Sequence, residues 1–163
     1  KTPAMDERGY HSTAVVLDDG RVIYGGGSGH GNERGSDYQI FSPPYLFKGP
    51  RPVITAVNPT VLQYGQGSAG EYSLTFSYVP ASETPNDYVA KVVLMRPGCT
   101  THHFDSEQRY LQLDLVTGVE APPNTMLFKA PPNGNYAPPG WYRMVILTTT
   151  GIPSVARWVQ VLP

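Results

Sequence analysis

YHSTAVVLDDGRVIYGGG, residues 10–27, is the stretch that decides how the first part of this chain folds. Two short apolar runs, 13–17 and 21–24, flank the sequence Asp18-Asp19-Gly20. Aspartate and glycine tolerate the positive φ of a tight turn, so an Asp-Gly pair between β-branched runs predicts a β-hairpin. The glycines at 25–27 are predicted to end the second strand, and a polar loop follows as far as residue 37.

Short strands separated by turn signals continue through the rest of the chain. No window combines a period of 3.6 residues with helix caps, so helices are not expected. About eight strands after residue 50 predict an all-β fold with an immunoglobulin-like β-sandwich. The predicted strands lie at 38–41, 53–57, 61–64, 72–78, 88–95, 110–116, 126–129, 141–149 and 156–162.

The domain boundary is predicted near residue 50. Four prolines within 42–52 remove backbone donors and fix φ, which predicts a stiff, extended linker. The three strands before it are too few to bury a core by themselves. Their order of strand, Asp-Gly turn, strand and double glycine is typical of a kelch propeller blade. We therefore predict a partial blade and linker at 1–50 and the sandwich at 51–163.

Composition and charge exclude several classes of partner. The formal net charge is −1 and the sequence has no basic run, so neither nucleic acid nor an anionic membrane surface is expected to bind. No stretch approaches 18 apolar residues, so no transmembrane segment is predicted. Cys99 is the single cysteine and cannot form an internal disulfide. The chain begins at Lys1 without a signal peptide, and we expect it to be a piece of a longer protein.

Two histidine-bearing segments, about ninety residues apart, carry the candidate chemistry. Tyr10-His11 stands at the entrance to the first strand, and His102-His103 lies in a loop between the strands at 88–95 and 110–116. Successive strand side chains point to opposite faces, so each pair could serve one metal only at a strand end or loop. We expect at most one of His102 and His103 to be functional. Packing or solvent exposure remains the alternative for both pairs, and the cysteine and histidine spacing does not match structural zinc.

In this order, the segments resemble the carboxyl-terminal part of the galactose oxidase and glyoxal oxidase family, the mononuclear copper-radical oxidases. The resemblance covers nearly the whole chain, and it implies an E-set type of immunoglobulin-like sandwich preceded by strands of a final kelch blade. Residues 10–27 are similar to the last kelch region, 40–46 and 51–54 to the exit from the propeller, 101–102 with 108–109 to the copper-histidine loop, and 138–142 with 151–156 to the closing strands.

The resemblance implies a single copper ion and a residue for each ligand position. Tyr10 would be the axial ligand, and His11 and His102 the two equatorial histidines, while His103 is not needed. The implied activity is oxidation of a primary alcohol, an aldehyde or a carbohydrate, with O₂ reduced to H₂O₂. Tyr10 would be the base that accepts the proton of the substrate's hydroxyl.

The resemblance also implies what the chain needs from elsewhere. The family's radical tyrosine, thioether-linked to a cysteine, lies upstream in the propeller, and Cys99 does not match that cysteine. We therefore expect the chain alone to be inactive and its partner to be the remainder of a kelch propeller. An extracellular or cell-envelope location is implied as well.

Two other readings of the sequence remain open. The chain could be a non-catalytic β-sandwich module for scaffolding or for carbohydrate or cell-surface binding, because a fold does not fix a function. It could also be a two-histidine metal binder confined to the sandwich. Loss of metal binding when residues 1–50 are removed would argue against the second of these.

Overall fold

The computed structural model describes residues 9–28, 38–102 and 104–163. That part of the chain is built from strands and one short 3-10 helix, which confirms the prediction of an all-β fold. It contains no helix long and apolar enough to cross a membrane. The strands are β1 (Tyr10–Val16), β2 (Val22–Ser28), β3 (Tyr38–Phe41), β4 (Val53–Asn58), β5 (Val61–Gln63), β6 (Ser73–Ser77), β7 (Val89–Met95), β8 (Thr100–Thr101), β9 (Phe104–Asp105), β10 (Tyr110–Gln112), β11 (Thr125–Leu127), β12 (Gly140–Thr148) and β13 (Arg157–Leu162).

Two sheets form the predicted immunoglobulin-like sandwich. One has the strand order β10-β7-β12-β13-β5, and the other has the order β11-β6-β4. The central strand β12 turns Tyr142, Met144 and Ile146 inward, where all three are fully buried. They join Ile54 and Leu74 of the opposite sheet in one apolar core. Burying a side chain of this size contributes about 1.5–3 kcal/mol, so this core supplies the main stabilisation of the sandwich.

A buried carboxylate links the two sheets at one end of the sandwich. Asp87 is only 6% exposed, and it accepts hydrogen bonds from Tyr78 Oη at 2.6 Å, Thr150 N at 3.0 Å and Thr150 Oγ1 at 2.9 Å. Thr149 Oγ1 donates a further hydrogen bond. Burial alone would raise the pKa of Asp87, but these donors outweigh it and hold that pKa well below its ordinary value. Burial, together with the Asp87 carboxylate, raises the pKa of Tyr78 to about 12.

The amino-terminal sheet, of order β1-β2-β3, meets the sandwich through the turn at 18–20. Arg51 joins the two parts because its guanidinium donates in both directions. Its Nη1 binds the carbonyl oxygen of Asp19 at 2.8 Å, while Nε and Nη2 bind those of Pro153 and Ser154, each at 2.8 Å. The Asp-Gly turn that the sequence predicts is therefore also the point of contact with the sandwich.

A second set of hydrogen bonds fixes the end of β1 to the five-stranded sheet. The Asp18 carbonyl accepts from Ala156 N at 2.8 Å, and its carboxylate accepts from Trp158 Nε1 at 2.9 Å. The buried Arg143 donates from Nη1 to the carbonyl of Val16, the last residue of β1. The direction in which β1 leaves the sandwich is thus set by three donors on the sandwich side.

Two local predictions are wrong. The linker at 42–52 is not extended throughout, because Pro44–Phe47 forms a 3-10 helix in which Leu46 N donates to Pro43 O at 3.0 Å. Proline at the first helical position has a suitable φ and no amide to satisfy, so the prolines permit this turn. The glycines at 25–27 do not end the second strand either, since β2 continues to Ser28 and Gly25 pairs with Thr13.

Candidate metal site

The first strand begins with an irregular residue that brings two candidate ligands together. His11 has a φ of 66°, so the alternation of side chains across the sheet is interrupted at this position. The rings of Tyr10 and His11 consequently lie side by side, with centroids 3.8 Å apart and planes inclined by 53°. The geometric objection to two neighbouring strand residues sharing one site does not apply here.

Two glycines on the adjacent strand make room for this irregularity. Gly26 and Gly27 have φ values of 67° and 94°. A Cβ on Gly26 would lie 3.2 Å from the carbonyl oxygen of His11, and one on Gly27 would lie 3.2 Å from both N and O of Gly9. Only glycine combines a positive φ with so close an approach of backbone. The glycine run therefore serves the Tyr10-His11 segment.

The third candidate ligand projects from a small hairpin of the sandwich. Strands β8 and β9 pair with Thr101 opposite Phe104, and His102 lies in the turn between them with a φ of 52°. Histidine is among the few residue types enriched in this left-handed region. The Asp105 carboxylate holds the hairpin's base by accepting from Cys99 N at 2.9 Å and Glu107 N at 3.0 Å.

The hairpin brings His102 to the start of β1. Its ring centroid is 5.4 Å from that of Tyr10 and 5.1 Å from that of His11, with edge-to-face orientations. Imidazole nitrogens bind zinc and similar metals at about 2.0–2.1 Å, so two imidazole rings that share one metal have centroids at most about 6.5 Å apart, and a phenol ring can lie somewhat farther away. All three pairs satisfy this condition. Tyr10 is 51% exposed and both histidines are exposed, so the trio is open on one side.

Among the described residues, one hydrogen bond involves a ring nitrogen of the two histidines. Thr101 Oγ1 lies 2.8 Å from Nδ1 of His102. The contact engages Nδ1 of this ring and not Nε2.

The chemistry of the donor set fits copper. Within the described ranges, no three or more side chains of histidine, cysteine, aspartate and glutamate are grouped so that they could hold a metal ion. The two imidazoles and the phenol are therefore not joined by a carboxylate or a thiolate from the described residues. Imidazole suits copper, and a tetragonal set of nitrogen and oxygen ligands is a copper(II) arrangement. Cys99 in the same loop is exposed and free. His103 lies outside the described residues.

Sequence reasoning missed two supporting residues, Thr101 and Asp105. Each had a local signal, because threonine and aspartate side chains commonly bind backbone or side-chain groups one or two residues away. The Arg96–Glu107 ion pair at the base of the loop was missed as well, since its two members are brought together only by the pairing of β7 with β10.

Known proteins resemble the whole chain. Residues 51–161 match the family model of the galactose oxidase-like Early set domain. The chain is 35% identical to an "Aldehyde oxidase GLOX" of Vitis pseudoreticulata over 99% of its own length and 31% of that protein. It is 30% identical to a "Galactose oxidase" of Gibberella zeae over 99% of its length and 22% of that protein. It thus spans a third or less of these relatives.

A solved structure agrees in fold over the full chain. It is described as a novel fungal alcohol oxidase of the AA5 family in complex with copper. The superposition has a TM-score of 0.79 at 28% sequence identity and covers 100% of this chain and 33% of the other.

Proposed function

Because this chain belongs to the galactose oxidase-like family, whose Early set domain it contains at residues 51–161, we propose that Tyr10, His11 and His102 hold a single copper ion of an oxidase. One observation carries the proposal. Residues from two separate sheets, about ninety positions apart in the sequence, place their three rings within 5.4 Å of one another. The copper complex of the fungal alcohol oxidase supports the choice of metal.

The reaction we propose is oxidation of a primary alcohol, an aldehyde or a carbohydrate, with O₂ reduced to H₂O₂. Copper, when bound, would supply a Lewis acid and accept one of the two electrons that the substrate loses, and the radical tyrosine expected elsewhere in the propeller would accept the other. His11 and His102 would hold the metal, and the deprotonated oxygen of Tyr10 would accept the hydroxyl proton of an alcohol or of a hydrated aldehyde. Tyr10 is half-exposed on the open side of the trio, where the rest of the protein would have to complete a substrate pocket.

We propose that the rest of a kelch propeller covers that open side. Residues 1–50 would then be part of its last blade with the linker, and residues 51–163 the sandwich. The radical tyrosine with its cysteine would belong to the remainder of the propeller, and the protein would work outside the cell or in its envelope. The chain alone would therefore bind copper without turning over substrate.

Calorimetric titration with Cu(II) tests the ligand assignment. We expect the wild-type chain to bind a single ion. His11→Ala and His102→Ala should each weaken binding at least as much as the loss of a supporting outer-shell residue does, which is about 10–100-fold. Tyr10→Phe should weaken it less, because a phenol is a weaker donor to copper than an imidazole. His103→Ala is the matched control and should bind as the wild type does. Equal affinities in wild type, His11→Ala and His102→Ala would refute the assignment.

A peroxide assay tests the oxidase activity. The chain alone, loaded with Cu(II) and given primary alcohols or aldehydes under O₂, should release no H₂O₂ above free copper. The longer protein that contains these residues should release it, and Tyr10→Phe in that protein should lower the turnover number. Peroxide formation by the isolated chain at an enzymatic rate would show that it needs no further propeller.

A non-catalytic carbohydrate-binding module is the second candidate, and exposed aromatic rings favour it. Trp141 is 55% exposed and Tyr110 is 58% exposed, both on the five-stranded sheet. Such rings offer a flat apolar face with a polar handle. Retention on an insoluble polysaccharide that Trp141→Ala abolishes, in a chain that binds no copper, would favour this module over the oxidase.

A further inference from the structure

The contact between Thr101 and His102 has a consequence for the metal site. A neutral imidazole carries its proton on one of two nitrogens, and the partner of one nitrogen decides which of them is free. Thr101 Oγ1 lies 2.8 Å from Nδ1 of His102, within hydrogen-bond distance. A hydroxyl can either donate or accept, so two tautomers are compatible with this distance.

The contact depends on the backbone of the turn. Consecutive side chains of an extended strand point to opposite faces, so a residue and its successor do not normally meet. The φ of 52° at His102 removes that alternation and brings the imidazole alongside the Thr101 hydroxyl. The pairing of Thr100 with Asp105, and the hydrogen bonds that Asp105 accepts, hold the hairpin from which both residues project.

We propose that Thr101 is a positioning residue of the copper site: its hydroxyl accepts a hydrogen bond from Nδ1–H of His102, fixes that tautomer and presents Nε2 to the metal. The inference rests on the proposed function, because a metal ligand requires a free lone pair on Nε2. Outer-shell partners of this kind fix both the tautomer and the orientation of a ligating ring. His102 is exposed in the turn of a hairpin, so its ring needs a hydrogen bond of this kind to keep one orientation toward Tyr10 and His11.

The tautomer is measured first, without metal. Long-range ¹H–¹⁵N spectra of the metal-free chain in mildly alkaline buffer, where imidazoles are neutral, distinguish the protonated nitrogen of each histidine. The His102 signals are those absent from His102→Ala. We expect Nδ1 to carry the proton in the wild type, a mixture of tautomers in Thr101→Val, and recovery of the wild-type pattern in Thr101→Ser. A wild-type tautomer protonated at Nε2, or one unchanged in Thr101→Val, would overturn the inference.

Thr100→Val is the matched control. It makes the same change of hydroxyl to methyl one residue earlier, where the buried Thr100 Oγ1 has no hydrogen-bond partner among the described residues. Both variants keep the β-branched shape that suits a strand, so both should fold, and Thr100→Val should be at least as stable as the wild type because it removes a buried hydroxyl without a partner. Thr100→Val should leave the His102 tautomer unchanged, and a shift as large as that of Thr101→Val would assign the effect to the hairpin as a whole.

Copper affinity separates this inference from the proposed function. Thr101→Val should weaken Cu(II) binding by about 10–100-fold, as losses of outer-shell partners do, and Thr101→Ser should restore it. If the wild type binds Cu(II) tightly and Thr101→Val binds equally well, the inference fails and the proposed function stands. If the wild type binds no copper, the proposed function fails and the positioning role fails with it.

Discussion

His11 and His102 share an unusual backbone conformation. Among the described residues other than glycine, positive φ values occur only at these two histidines and at Asn124. Non-glycine residues in this region cost about 1–3 kcal/mol each and persist where the surroundings impose them. Here the surroundings are Gly26 and Gly27 at His11 and the hairpin of β8 and β9 at His102. These surroundings therefore hold both candidate ligands in a strained backbone conformation.

Asp87 provides a pH-dependent test at the residue scale. Its pKa is lowered in the folded chain, so it contributes stability that is complete above its ordinary pKa of about 3.9 and is lost as the pH falls below that value. Asp87→Asn removes hydrogen bonds to a charged group and should cost about 1.5–3 kcal/mol of unfolding free energy at pH 7. Urea unfolding from pH 7 to 2 should show this difference shrink below about pH 4.

The exposed Glu83 supplies the control for that experiment. Glu83→Gln should leave the unfolding free energy within about 0.5 kcal/mol of the wild type throughout the pH range, as surface substitutions usually do. A difference between wild type and Asp87→Asn that stays constant down to pH 2 would contradict the role assigned to the carboxylate charge.

The sandwich strands could be predicted closely from the sequence. The predicted strands at 53–57 and 156–162 correspond to β4 at Val53–Asn58 and β13 at Arg157–Leu162. These strands could be predicted because short β-branched runs bounded by proline, glycine or asparagine have a clear period and clear ends. Strands β8 and β9 could not be predicted, because strands of two residues in a polar loop show no periodicity.

The candidate site could be predicted in identity but not in geometry. Tyr10, His11 and His102 follow from the resemblance, whereas the strand period argues that Tyr10 and His11 diverge. The φ of 66° at His11 overrides that period, and it depends on the backbone of the adjacent strand. The positive φ of His102 likewise depends on the pairing of β8 with β9. The order of residues along the chain does not show how either φ angle depends on the neighbouring strand.

Gly27 gives a prediction at the scale of the strand pair. Alanine at this position would combine a left-handed φ of 94° with contacts of 3.2 Å to the backbone of Gly9. Gly118→Ala is the control, because Gly118 has a φ of 78° but nothing within 4 Å of its added Cβ. The control isolates the conformational cost, about 1–2 kcal/mol.

Gly27→Ala should therefore lower the unfolding free energy by more than Gly118→Ala and should weaken Cu(II) binding, because β1 must shift. Urea unfolding and copper calorimetry measure the two effects. If Gly27→Ala and Gly118→Ala bound copper equally well, the glycine run would have no part in shaping the site.

At the scale of the whole molecule, the site depends on how two separate sheets are joined. Tyr10 and His11 come from the amino-terminal sheet, and His102 comes from the two-stranded sheet β8-β9, which lies between β7 and β10 in the sequence of the sandwich. Their separation is set by the contacts of the turn at 18–20, chiefly those of Arg51. The ligand geometry is therefore a property of this junction as well as of the loops that carry the ligands.

Arg51→Met tests the junction. Each hydrogen bond from a charged donor contributes about 1.5–3 kcal/mol, so the opening free energy of the amides in β1 and β2 should fall by at least the lower figure. Hydrogen exchange should show faster exchange there, while β12 keeps its protection. Lys48→Met is the control, since Lys48 donates to the Thr150 carbonyl on the sandwich side, at 2.9 Å. Equal exchange in both variants would mean that Arg51 does not hold the sheets together.

The most direct test is the electron paramagnetic resonance spectrum of the chain with one equivalent of Cu(II). The number of nitrogen hyperfine couplings counts the bound imidazoles. We expect two nitrogens and a tetragonal signal in the wild type, one nitrogen in both His11→Ala and His102→Ala, and none in the double variant. A wild-type nitrogen pattern that survives either single substitution would contradict the claim that residues from the two sheets build one copper site.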